Sequence, residues 1–176
     1  QRFWGNGELD GEACEVFDFA KGVSLAKYAA EKGLTYGTFL DVGWHAARGL
    51  LFLQRHGLVH GDVKPQNFCV EEKRGRLGDA GLLVTLIDFD IVSTAEEQLD
   101  EYRLGNNLDG TLPYMPPENF VDTVPEDPVE ARRMAFSKDV YALGMSLVRA
   151  ANNRFPDSFY TSMQSLEKKK ESLEEA

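Results

Sequence analysis

The pattern of apolar and polar positions marks a few elements clearly. Glu12–Phe19 alternates as a strand does, Lys21-Gly22-Val23 interrupts it, and Ser24 stands where a helix N-cap belongs, so a short helix is predicted over Leu25–Lys32, ending at Gly33. From Thr38 to His56 the residues Leu40, Trp44, Ala47 and Leu51 form one helical stripe, with Val42, Ala46, Leu50 and Leu53 beside it, and Gly57 closes the helix. Phe68–Val70 and Leu82–Ile87 read as a hairpin whose long tip is the charged, glycine-bearing stretch Glu71–Gly81.

Ser93–Asp109 is polar and weakly periodic, and Pro113, Pro116 and Pro117 exclude regular helix from Thr111–Pro117, so this region reads as an extended loop. Asp122–Glu130, acidic with Pro125 and Pro128, reads as a surface loop. Lys138–Ala151 is apolar nearly all round, which suits a helix buried in a helical domain. Ser165–Ala176 is mixed in charge and helix-favouring, but Leu166 and Leu173 supply a single heptad step, too little for a coiled coil.

Composition narrows the function classes. The chain of 176 residues is sized for one domain, and its formal net charge of −10 argues against a surface that tracks nucleic-acid phosphates or anionic lipid. The longest apolar runs, such as Gly49–Leu53 and Gly81–Leu86, fall far below the roughly 20 residues a membrane span needs. Cys14 and Cys69 stand far apart with no C-x-x-C pattern, so neither a zinc site nor a disulfide framework is indicated. Gly5-Asn6-Gly7 is a turn signal, and the opening residue is not Met, which leaves the compartment open.

The candidate chemistry lies in His60-Gly61-Asp62-Val63-Lys64-Pro65-Gln66-Asn67, between the long helix and the hairpin. A carboxylate and an amide five residues apart in one loop can face the same point, Asp62 to accept a hydroxyl proton and Asn67 to hold a metal, while Lys64 offsets charge on a transferred phosphoryl group. At the far end of the hairpin, Asp88 in Ile87-Asp88-Phe89-Asp90 is placed to offer oxygen to a hard cation such as Mg²⁺.

From about Cys14 to Pro156 the sequence resembles the eukaryotic protein kinases, whose catalytic loop reads H-R-D-x-K-x-x-N in the serine/threonine type, whose metal motif reads D-F-G, and whose activation segment ends in A-P-E. The resemblance implies Asp62 as catalytic base, Lys64 as phosphate-contacting lysine, and Asn67 and Asp88 as Mg²⁺ ligands. Gly110-Thr111-Leu112-Pro113-Tyr114-Met115-Pro116-Pro117-Glu118 is similar to the family's G-T-x-x-Y-M-x-P-E segment, in which Thr111 would contact Asp62 and Lys64. Ser137 to Gly144 is similar to the start of the central helix, with Asp139 bracing the catalytic-loop backbone. His60 and Phe89 are expected as packing residues. Glu118 would normally pair with an arginine from a later helix, for which Arg149 and Arg154 are the candidates.

The expected fold is therefore α+β and protein-kinase-like, a mostly helical large lobe with a small β-hairpin at the cleft and the small lobe largely absent. Residues 1–22 would be the end of the small lobe and the hinge, where Glu15, Phe17 and Phe19 lie in the segment that meets adenine. Residues 23–164 would be the large lobe and 165–176 a charged helical tail. No glycine-rich phosphate loop, strand lysine or partner helix glutamate is seen, so the chain is expected to be part of a longer kinase and inactive alone. A looser likeness is to the divergent secreted kinases of coccidian parasites, which would make a secreted effector an alternative to the default cytoplasmic location.

Two departures bear on activity. Gly61 replaces the arginine that in many kinases pairs with a phosphorylated activation loop, and Asp90 replaces the glycine of D-F-G, adding a carboxylate that can join the metal shell. The expected function is transfer from Mg-ATP to serine or threonine of a protein substrate, with the remainder of the small lobe as the chain's own partner. The alternatives are a pseudokinase that binds nucleotide or acts as a scaffold, and a small-molecule kinase of the aminoglycoside or choline type. Lys64, the Thr111–Glu118 segment and the Lys138–Gly144 helix start argue against the last.

Overall fold

A computed structural model describes residues 3–9, 12–74, 80–104, 110–120 and 124–155. The predicted tail at 165–176 lies outside the described residues. The chain begins with two antiparallel strands, β1 (Phe3–Leu9) and β2 (Glu12–Phe17), paired from Phe3↔Phe17 to Leu9↔Glu12 with an irregularity between Phe3 and Gly5. Gly5-Asn6-Gly7 is therefore strand and not the turn its composition suggests, because it finds a partner in Cys14-Glu15-Val16.

A two-residue strand, β3 (Val23–Ser24), leads into α1 (Leu25–Lys32), with the bounds the sequence predicts. The Ser24 hydroxyl accepts the Lys27 N–H, and Gly33 ends the helix at φ +68° with its N–H donated to the Ala29 carbonyl. Just before β3, Gly22 has φ +117°, and a Cβ there would lie 2.0 Å from the Val70 carbonyl oxygen. Only glycine fits that close approach.

Helix α2 (Tyr36–Arg55) starts two residues earlier than predicted because the Thr35 hydroxyl caps it through the Thr38 N–H. Its core face is Val42, Ala46, Leu50 and Leu53. The neighbouring stripe, which looks stronger in sequence, is outward: Leu40, Trp44 and Leu51 are 49%, 64% and 43% exposed. The cause is close packing. A Cβ at Gly43 would touch Leu147, and one at Gly49 would touch Leu86, so the small-residue side meets its neighbours.

Strand β4 (Leu58–Val59) is followed by the catalytic-loop motif and a 3-10 turn at Pro65–Asn67. Strands β5 (Phe68–Arg74) and β6 (Ala80–Leu86) form the hairpin, with a ladder from Phe68↔Leu86 to Arg74↔Ala80. The ladder runs well into the stretch predicted as tip, since the backbone pairing tolerates the charges at Glu71, Glu72 and Lys73 on an otherwise apolar hairpin. β3 joins through Val23↔Val70 and Ser24↔Cys69, giving the order β3-β5-β6.

A short strand, β7 (Ser93–Thr94), pairs with β4, and then α3 (Ala95–Leu104) occupies most of what the sequence suggests is loop. The Thr94 hydroxyl accepts the Glu97 N–H while the Glu97 carboxylate accepts the Thr94 N–H, a reciprocal cap that starts the helix. Helix α4 (Pro128–Asn152) begins at Pro128, capped by Asp127, and so absorbs the end of the predicted acidic loop. It is buried on one side only, with Val140 63% exposed.

The main core joins α1, α2, the hairpin and α4 around Leu25, Val42, Phe68 and Ala142. A second cluster of Val59, Ala95, Leu99, Ala131 and Ala135 packs α3 onto the N-terminal half of α4. Among the described residues no helix is long and apolar enough to cross a membrane.

Candidate active site

The loop between β4 and β5 is held from below. Asp139 of α4, only 5% exposed, accepts the His60 N–H at 2.7 Å and the Gly61 N–H at 3.0 Å. Burial pushes its carboxyl up, against the pull of these two donors. The His60 ring is fully buried, with Nε2 3.2 Å from the Ile87 carbonyl oxygen, Nδ1 accepting the Asp62 N–H, and its face 5.3 Å from Phe89. Burial lowers its pKa, so it is a neutral packing residue as expected.

Gly61 has φ +83°, and its would-be Cβ lies 3.1 Å from the Ile91 carbonyl oxygen. This turn aims Asp62 at a threonine and a lysine. Thr111 donates to Asp62 Oδ1 at 2.7 Å, while the Lys64 ammonium reaches Asp62 Oδ2 at 2.5 Å and Thr111 Oγ1 at 3.1 Å. Burial raises the Asp62 carboxyl, but the Lys64 and Thr111 hydrogen bonds and the Lys64 charge outweigh it and hold the group below its usual value. Asp62 is therefore ionised at neutral pH and able to accept a proton.

Asn67 is buried and donates its amide N–H₂ to the Asp62 backbone carbonyl at 2.9 Å and to Asp62 Oδ2 at 3.3 Å, which leaves its Oδ1 as an acceptor with no partner among the described residues. Its own backbone carbonyl accepts the Ile87 N–H at 2.9 Å, fixing the end of β6 beside the loop. Asp88 follows immediately, in the left-handed region at φ +68°. Its carboxylate is exposed and has no hydrogen-bond or ion-pair partner among the described residues. The structure thus brings Asp62, Lys64, Asn67 and Thr111 into one network and sets Asp88 next to it.

Donor chemistry suits a hard divalent cation. Among the described residues no three His, Cys, Asp or Glu side chains form a complete metal cage. Magnesium does not require one, since it takes one or two protein carboxylates and draws the rest from water and phosphate. Asp90 is exposed and does not join the network, and it does not adopt positive φ, so the backbone freedom of the glycine it replaces is not used here.

Of the adenine-side residues, Phe19 is 87% exposed, and the side chains of Glu15 and Phe17 in β2 lie outside the described residues. Cys69 is buried, its thiol pointing to the carbonyls of Ala20 and Lys21, and the Cys14 side chain lies outside the described residues. Glu118 accepts a hydrogen bond from Ser137 Oγ at 3.1 Å, and Arg149 turns instead to Asn153 and the Phe155 ring.

Sequence reasoning passes over a buried polar lattice that ties α3 to the Thr111 segment and to α4. Tyr102 donates to Asn119 Oδ1 at 2.6 Å, Lys138 donates to Gln98 Oε1 at 3.3 Å, and Gln98 donates to Glu101. Gln98, Tyr102, Asn119 and Lys138 are all buried. Burial and the charges of Glu118, Asp139 and Glu101 push the Tyr102 hydroxyl well up. The signal available in sequence was the Thr94-x-x-Glu97 cap followed by Ala95, Leu99 and Tyr102 at helical spacing.

A family model described as the protein kinase domain matches residues 2–175, and the chain belongs to that family. It is 30% identical over 157 residues to the serine/threonine-protein kinase pelle of Drosophila melanogaster, covering 82% of this chain and 27% of that protein. It is 29% identical over 157 residues to the probable serine/threonine-protein kinase gdt8 of Dictyostelium discoideum, covering 88% of this chain and 11% of that one. The solved structure of the Rad53 kinase domain and SCD2 shares the fold at a TM-score of 0.61 and 18% identity, over 88% of this chain and 46% of that one. The chain thus spans about a quarter or less of these two curated relatives. Kinases of this family generally use ATP and Mg²⁺. These comparisons do not show the looser likeness to coccidian secreted kinases.

Proposed function

We propose that the protein containing this chain transfers the γ-phosphoryl group of Mg-ATP to serine or threonine hydroxyls of a protein substrate. The observation that carries the reading is the Asp62–Lys64–Thr111–Asn67 network, an ionised carboxylate held by a cation, a hydroxyl and an amide. Asp62 orients the substrate hydroxyl and takes its proton. Lys64, already beside that carboxylate, offsets negative charge on the phosphoryl oxygens. Asn67 Oδ1 and Asp88 would hold Mg²⁺, which when bound neutralises charge on the phosphates. Asp90 is an additional carboxylate two residues from Asp88, and residues 15–19 supply the backbone that meets adenine.

The full-length protein, given labelled ATP and a generic protein acceptor, should incorporate phosphate, and Asp62→Asn should lose nearly all of it. Equal incorporation by both forms refutes the assignment. A second reading, a nucleotide-binding scaffold without turnover, is favoured by Asp90 in place of the motif glycine. A Mg-ATP-dependent rise in melting temperature that Asp88→Ala abolishes, without incorporation by the wild type, would select it.

A further inference from the structure

We infer that the full-length protein prefers substrates bearing an acidic side chain within a few residues of the acceptor hydroxyl, and that Arg149 is the residue that reads it. This rests on the phosphoryl-transfer reading above. A small pocket of about 40 Å³ opens beside the catalytic loop, lined by Pro65, Gln66, Tyr114, Arg149, Asn153 and three alanines of α1 and α4. That volume is far below the roughly 300–1,000 Å³ of small-molecule sites and suits the tip of one side chain, such as a carboxylate.

The pocket belongs to the reaction centre by connectivity. Gln66 is four residues from Asp62, and Tyr114 is three residues from Thr111, whose hydroxyl touches Asp62. At about 3.8 Å per Cα step those links span at most ~15 Å, roughly four residues of an extended peptide. A substrate with its hydroxyl at Asp62 therefore has the residues next to its acceptor within reach of the pocket.

Its charge is the reverse of the chain's. Although the sequence holds 29 Asp and Glu against 19 Lys and Arg, Arg149 is the only charged residue lining this pocket among the described residues. Its guanidinium has no carboxylate partner among the described residues, and its one hydrogen bond, to Asn153 Oδ1, is long at 3.5 Å. The group is nonetheless set in place. Its Cζ lies 6.0 Å from the centre of the buried Phe155 ring, which in turn packs 5.6 Å from Tyr114. Asn153 ends α4 in the left-handed region at φ +53° and turns the chain toward that ring. A preorganised guanidinium with free donors is a ready receptor for a carboxylate. A lysine or arginine there would meet like charge, with no acid among the described lining residues to offset it.

The test uses the full-length protein and three fluorescein-labelled peptides, each with a central serine flanked on both sides by glutamate, glutamine or lysine. Fluorescence anisotropy should show the glutamate peptide binding about tenfold more tightly than the glutamine peptide, with the gap closing at high salt. Arg149→Gln should erase the preference and Arg149→Glu should transfer it to the lysine peptide, with melting temperatures confirming that both variants fold. Equal binding of all three peptides, no measurable binding of any, or a preference that survives both variants overturns the inference. Phosphate entering all three peptides with equal kcat/KM also overturns it while leaving the transfer reading intact. Arg149-dependent binding of the glutamate peptide without phosphate incorporation would instead sink the transfer reading and leave this groove as a peptide-binding site.

Discussion

Replacing Asp139 with alanine isolates the brace beneath the catalytic loop. The carboxylate is 5% exposed and accepts two backbone N–H groups, from His60 at 2.7 Å and Gly61 at 3.0 Å. Hydrogen bonds to a charged partner contribute about 1.5–3 kcal/mol each, and a buried donor left without an acceptor costs ~1–3 kcal/mol. Against this stands the cost of burying the charge, which raises the carboxyl's pKa and is relieved by the substitution. The net expectation is a loss of about 3 kcal/mol, a rise of roughly a hundredfold in the unfolding constant. Asp139→Asn keeps one acceptor but turns an N–H₂ toward the second amide, so it recovers at most half of the loss.

Urea unfolding of the full-length protein reads the stability, and hydrogen exchange reads the amides of His60 and Gly61 separately from the rest. Those two amides should lose protection in both variants, more than the α1 amides do. The reasoning is refuted by a stability change under about 0.5 kcal/mol together with unchanged protection at residues 60 and 61, because each bond alone should exceed that value.

Two further outcomes follow from the buried polar groups. His60 is held below its ordinary value of 6.5, chiefly by burial, so as pH falls through 6.5 the unfolded chain binds a proton that the native one refuses. Stability should then decline on acidification from about pH 6.5 down to the lowered native value, and urea midpoints of His60→Gln should show a flatter slope. A wild type that gains stability relative to the variant across that window contradicts the burial argument. Tyr102→Phe removes the 2.6 Å buried hydrogen bond to Asn119 Oδ1, costing about 1–2 kcal/mol. Hydrogen exchange should quicken over residues 95–104 and 112–120 while α1 stays protected, and unchanged exchange in both segments would dismiss the lattice as a tie.

The legible elements were those with local determinants. Ser24 and Gly33 bound α1 by their own hydrogen bonds, and the hairpin ladder follows from alternation at Leu82, Val84 and Leu86, all buried. The loop His60–Asn67 was legible as a string of residue types, and in the structure Lys64, Asn67 and Thr111 all lie within hydrogen-bond reach of Asp62. Strand β1 escaped because Gly5-Asn6-Gly7 has no strand propensity of its own and is ordered only by its cross-strand partner. Helix α3 escaped because its buried face includes Gln98, a polar residue whose burial depends on Lys138 forty residues away. On α2 the choice between two adjacent stripes was settled by how closely α4 and β6 approach, which hydropathy does not encode.

The departure at Gly61 acquires a physical sense from these contacts. With φ +83° and Ile91 already 3.1 Å from the position of a Cβ, a side chain at residue 61 would be strained and would need Ile91 to give way. Gly110 closes the same corner, since a Cβ there would lie 2.8 Å from the Gly61 carbonyl oxygen. The backbone of the Thr111 segment therefore rests directly on the backbone of the catalytic loop. An ion pair between an arginine and a phosphorylated loop would order such a segment from outside, at the mercy of salt and modification. Here the ordering comes from within, through Tyr102–Asn119 and Gln98–Lys138, and groups so deeply buried are screened little by salt. The same burial makes the lattice unforgiving, because a hydrogen bond lost in a low-dielectric interior costs more than one lost in water.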